Sequence, residues 1–229
     1  GRRLLAIAAA AVVTLGYELV DMSTALSIFD GSYASTYLSI WTRAVNPIIG
    51  AILLFGFLIS LLLFLKGRRK AVIPATITLA FMPGYIFSFG IACATLAVFT
   101  AGLLILHQRR KALLLFSVLI AALLVNLPQI LSSLDAGEAA KSGLLLTHMP
   151  IVSFVLAAAL LILALGLFSD YRKKIPLSLL SPQLFLFLVL LGSFLAMNQQ
   201  VITGKTVWPH HFVQYTIPLS MVGVLIAFY

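Results

Sequence analysis

The chain runs to 229 residues, of which 62 % are hydrophobic and 9 % charged, with a formal net charge of +9. Soluble domains carry about 45–50 % apolar and about 25 % charged residues, so a water-soluble fold is excluded for want of polar surface. The apolar runs are long and unbroken rather than alternating, which excludes a β-barrel and leaves an all-α bundle, because in lipid every backbone N–H and C=O must be paired within its own segment.

In chain order, the apolar runs predict a polytopic transmembrane helix bundle of about eight spans, at 4–20, 47–65, 71–86, 89–106, 112–131, 149–168, 179–197 and 216–229, forming one transmembrane domain over 1–229. The pair at 71–106 is tight: it amounts to about 54 Å of helix, whereas leaving and re-entering a ~30 Å core needs more. Either the Pro83-Gly84 turn joins two short spans, or it is the tip of a re-entrant pair, giving six spans plus that pair. The last run begins near Ile217 and breaks off at Tyr229, about 13 residues along where a crossing takes about 20. The chain also opens on Gly1, so a fragment of a longer protein is expected.

The basic residues gather beside apolar runs, at Arg2-Arg3, Lys66 to Lys70, Arg109 to Lys111 and Arg172 to Lys174. An even number of predicted crossings separates each cluster from the next, so all four fall on one side. Of the 15 Lys and Arg, only Arg43, Lys141 and Lys205 fall opposite. The positive-inside rule makes the rich side, and with it the N-terminus, cytoplasmic. Clusters so placed face anionic lipid headgroups, making membrane lipids the expected partners and nucleic acid not one. Cys93 is the single cysteine and lies in an apolar run, so no disulfide framework and no thiolate metal centre is expected. No cofactor or metal is predicted, and no P-loop, zinc-protease or Gly-x-Ser-x-Gly motif is present.

Polar chemistry collects in the loops on the other side. The stretch Asn198 to Gln214 holds Gln199, Gln200, Lys205, Trp208, His210 and His211, a set suited to a phosphate or pyrophosphate and to stacking on a sugar. Against this, Trp208, Phe212 and Tyr215 read equally as an interfacial aromatic belt with solvated histidines among them. Adjacent histidines diverge on most backbones, so the pair alone makes no metal site. Arg43 and His148 lie in the two preceding outer loops and join the candidate binding set. Glu18 and Asp21 share a face if the first helix continues, and with Asp30 they offer a general base or cation ligand; a solvated helix end is the plainer reading. Asn126 and Gln129, flanking Pro128, are expected to hydrogen-bond a neighbouring helix. Asp170 and Arg172 read as a surface pair of small weight, and His107 as a boundary residue.

Asn198-Gln199-Gln200-Val201-Ile202-Thr203-Gly204-Lys205, followed by Trp208-Pro209-His210-His211-Phe212, resembles a loop of uncharacterised bacterial polytopic membrane proteins that look similar to GT-C-class glycosyltransferases. The resemblance implies a multi-pass protein of the bacterial inner membrane and a polyprenyl-phosphate-linked sugar donor. It also implies an extracytoplasmic site with an acidic base in the first outer loop, a role that here falls to Asp21 or Asp30. That loop is short and has no paired-acid motif. A transporter or flippase, favoured by the breaks at Pro74, Pro83-Gly84 and Pro128, and a scaffold without chemistry are the alternatives. Ion-coupled transport would want a charged residue at mid-membrane, and no span has an unambiguous one.

Overall fold

The computed structural model describes residues 2–20, 47–135, 150–176, 178–203 and 209–228. They are mostly helical, joined by turns and short irregular stretches and without strands among the described residues: α1 (Arg2–Val20), α2 (Pro47–Leu65), α3 (Val72–Phe81), α4 (Ile86–Ile105), α5 (Arg109–Val125), α6 (Leu127–Asp135), α7 (Phe154–Arg172), α8 (Pro182–Met197) and α9 (Pro209–Phe228). Three helical stretches are long and apolar enough to cross a membrane, Ile48–Leu65, Arg69–Ile105 and Phe154–Arg172. Their outward faces suit lipid, with Ile52, Ile59, Ile77, Leu104, Leu161 and Phe168 exposed, where a soluble monomer would show no such continuous apolar surface.

The 37 helical residues of Arg69–Ile105 would span roughly 55 Å if straight, but they double back. A 3-10 turn at Met82–Tyr85 ends in the extended Tyr85 (φ −137, ψ 94), after which α4 starts afresh. Pro83 stands near the start of that turn, where its missing N–H costs nothing. The turn packs at the beginning of α2: a Cβ on Gly50 would lie 2.9 Å from the Tyr85 ring. The other ends of both arms return to the end of α2, since Leu65 and Leu106 line one groove. The reversal expected at Pro83-Gly84 is therefore present, and its tip reaches the full depth of α2, about 28 Å for 19 residues. The arms scarcely touch each other. Helix α2 fills the space between them on one side and α5 on the other, around a core that includes Phe57, Leu61, Leu79, Leu96 and Phe99.

Helix α8 joins this half to the rest. It packs along α4 and against α7 and α9, and α9 carries α1 on its outer side. The seam is closest at Gly192, where an added Cβ would stand 2.7 Å from the N, Cα and Oγ1 of Thr95. Such an approach is open only to glycine.

The turns after α2, α4 and α7 share one construction. The N–H groups of Gly67, His107 and Lys174 bond Phe64, Leu104 and Tyr171, while those of Arg68, Gln108 and Ile175 bond Leu63, Leu103 and Asp170. This is the paired bonding of a Schellman cap, which needs a left-handed residue. Gly67 (φ 90), His107 (φ 55) and Lys174 (φ 57) supply it. These tight turns bring Lys66 to Lys70, Arg109 to Lys111 and Arg172 to Lys174 to one end of the bundle, hereafter the basic end.

Several expectations are corrected. The predicted span at 112–131 is two helices, because Pro128 breaks the hydrogen-bond ladder near Asn126. Among the described residues Asn126 bonds no neighbouring helix; its Nδ2 donates to Ala122 O of its own helix at 2.8 Å. Arg172 lies over the Phe168 ring at 5.9 Å, and among the described residues no ion pair joins it to Asp170. The last helix begins at Pro209 rather than near 216, so His210 and His211 are helical and not in a loop.

Candidate functional site

The end opposite the basic turns carries a compact group of aromatic and polar side chains. Proline suits the first position of a helix, and α9 starts there with Pro209. His211, Gln214 and Tyr215 follow at spacings of three and four, and so share one face. That face meets the reversal between α3 and α4. The Tyr85 hydroxyl lies 3.0 Å from His211 Nδ1. The Phe87 ring stacks on the imidazole with centroids 4.5 Å apart and planes at 21°. Phe212 meets the Phe87 edge at 5.1 Å and Tyr215 meets Tyr85 at 5.9 Å. One polar contact and one stacked ring thus fix the orientation of a half-buried imidazole.

Gly50 is what lets α2 close over this group. A Cβ there would come within 2.9 Å of Ser88 Oγ, the Tyr215 hydroxyl and the Tyr85 ring. All three are side-chain atoms, so Gly50→Ala is accommodated by shifting the rings rather than by parting helices. The expected outcome is a folded protein with altered Tyr fluorescence and weaker ligand binding, read in the same preparation.

Buried amides lie beside the ring cluster. Gln214 and Gln200 are 4 % and 2 % exposed, and neither Oε1 finds a hydrogen-bond partner among the described residues. Orphaned buried acceptors are uncommon and call for a donor. Pro218 sits inside α9 and has no N–H to offer the Gln214 carbonyl four residues before it, so the helix is polar on both counts at that level. Asn198, at the C-cap of α8, ties down the start of α7. Its Oδ1 accepts from Ile151 N at 2.6 Å and its Nδ2 donates to Ile151 O and Phe194 O at 3.0 Å each.

Of the expected site residues, the structure brings His211 into the cluster and places Gln200, buried, and Gln199, half-buried, at the same end. Asp21, Asp30, Arg43, His148, Lys205 and Trp208 lie outside the described residues, as does the side chain of His210, whose backbone is in the first turn of α9. Tyr85, Phe87 and Gln214 were not singled out from the sequence, and Tyr215 entered only as part of an aromatic belt. The spacing after Pro209, with His211 followed by Gln214 and Tyr215, was the available signal for two of them. Among the described residues no three His, Cys, Asp or Glu side chains gather as metal ligands would. Comparison of the chain with protein-family models, with curated proteins and with solved structures finds no match.

Proposed function

We propose that the chain is a multi-pass membrane protein that binds a phosphate-linked sugar carrier at the end opposite its basic turns, in the manner of a GT-C-class glycosyltransferase or a relative. The observation that carries the reading is His211, held between the Tyr85 hydroxyl and the Phe87 ring at the end where the Gln200 and Gln214 carbonyl oxygens are buried without donors. An oriented imidazole offers a hydrogen bond or a proton to a phosphate oxygen, and amide oxygens accept from sugar hydroxyls. Counting α3 and α4 as separate crossings gives eight spans in the bacterial inner membrane. The basic end is then cytoplasmic and the His211 cluster extracytoplasmic. Asp21 or Asp30 would be the base, as the loop resemblance implies, with Arg43, His148, Lys205, Trp208 and His210 completing the polar surface.

The test is binding of a polyprenyl-phosphate sugar and transfer of the sugar, measured on the full-length protein. His211→Ala weakens binding roughly tenfold, the loss expected for one charge-assisted hydrogen bond. Asp30→Asn and Asp21→Asn leave binding intact, and one of them abolishes transfer. Unchanged binding by His211→Ala removes the site, and translocation of the carrier without sugar transfer makes the protein a flippase.

A further inference from the structure

At the basic end, a groove of about 500 Å3 opens between the last turn of α2 and the first turns of α5. Its lining divides into an apolar set, Phe64, Leu113 and Leu114, and a cationic set, Arg69, Arg110 and Lys111. Phe64 is buried, whereas Leu113 and Leu114 are exposed at 64 % and 41 %, too much apolar surface to leave uncovered beside three cations. Among the described residues no carboxylate pairs with Arg69, Arg110 or Lys111. Like charges gathered without a counterion repel one another. Helix α5 adds to the imbalance, because its first turn contains Arg109, Arg110 and Lys111 and no acid, against the preference of a helix start for negative charge. On its other flank Lys111 lines a second, smaller and more polar groove of about 210 Å3 with Leu106, Leu179 and Leu180 and with Gln108 and Ser178.

We propose that this place binds an anionic phospholipid, its phosphodiester held by Arg69, Arg110 and Lys111 and an acyl chain laid along Leu113 and Leu114 in the larger groove. Both halves of the lining are needed for the assignment. Inorganic phosphate or a nucleotide would satisfy the cations and leave Leu113 and Leu114 bare. A zwitterionic lipid would cover the apolar set but bring a cation of its own into a site that already has three. Guanidinium groups match phosphate oxygens in planar pairs, which favours Arg69 and Arg110 as the direct ligands. Basic pockets between helices on the cytoplasmic side are suited to such headgroups. The site is independent of the His211 cluster, which lies at the other end of the bundle.

The full chain, purified in detergent, is titrated with dioleoyl phosphatidylglycerol and with dioleoyl phosphatidylcholine, bound lipid being counted by native mass spectrometry. Phosphatidylglycerol binds with clear preference. Arg69→Gln/Arg110→Gln/Lys111→Gln weakens it about 100-fold, from the contribution of each basic residue near an anionic headgroup. Arg172→Gln/Lys173→Gln/Lys174→Gln, which removes equal charge from the neighbouring turn, leaves it nearly unchanged. Leu114→Trp, which fills the larger groove without altering charge, also weakens it and serves should the triple variant fail to fold. Equal losses in the two triple variants would mean diffuse attraction and overturn the site. So would equal affinity for the two lipids, or displacement of the lipid by inorganic phosphate alone.

Discussion

Gly192→Val destabilises the protein by about 3 kcal/mol, the upper part of the range for forcing bulk into a packed interior. The cause is local and steric. The added Cβ would sit 2.7 Å from the N and Cα of Thr95, and backbone atoms in the middle of α4 cannot step aside as a side-chain tip can. Helices α4 and α8 must separate, and the contacts of Leu96, Val189 and Leu190, all buried, loosen with them. Thermal unfolding of the purified protein in detergent reads the effect, with Gly56→Ala as its counterpart. There the nearest neighbour is the Thr78 methyl at 3.5 Å, an ordinary contact. Gly56→Ala is therefore neutral or stabilising by up to about 1 kcal/mol through helix propensity. Equal behaviour of the two variants would show that the seam tolerates separation.

Asn198→Leu has the second largest effect, about 2–3 kcal/mol, because it strips partners from groups that stay where they are. Ile151 loses both the acceptor of its N–H and the donor to its carbonyl, and Gln200 Nε2 loses its 3.4 Å contact with Asn198 Oδ1. Faster amide hydrogen exchange is expected at Ile151 and in the first turn of α7, without change in the α2–α5 half. Asn198→Asp keeps an acceptor for Ile151 N but turns a buried carboxylate oxygen toward the Ile151 and Phe194 carbonyls, so its cost is at least that of Asn198→Leu near neutral pH. Exchange that stays slow at Ile151 in Asn198→Leu would contradict the clamp.

Much of the frame was readable from the residues. Helical stretches fall where long apolar runs left no other way to pair the backbone, and the basic turns at 66–70, 107–111 and 172–175 meet at one end. The reversal near Pro83 was also readable, because proline and glycine leave few alternatives at such a place. The errors have identifiable sources. His210 and His211 looked like loop residues because polar side chains dominate 198–211, yet Pro209 is a helix-starting signal and the pattern after it has helical spacing. Tyr85 and Phe87 stood unnoticed among other aromatics of an apolar run, since nothing local separates a ring facing lipid from one stacked on an imidazole. Arg172 was paired with the acid beside it in sequence, but on a helix its neighbour is Phe168, one turn back. The match of Gly192 to Thr95 left no trace at all. Each is an unremarkable small or hydroxylated residue, and only the fold brings them together.

That match bears on how the protein is made. The chain emerges at about 5–20 residues per second, so α4 is synthesised roughly 5–20 s before the segment that carries Gly192. Throughout that interval the Thr95 face of α4, which ends completely buried, has no α8 to cover it. The newborn first half waits with a bare flank, open to a chaperone or to a wrong helix. A ribosome stalled between residues 105 and 190 would hold that flank open for as long as the stall lasts.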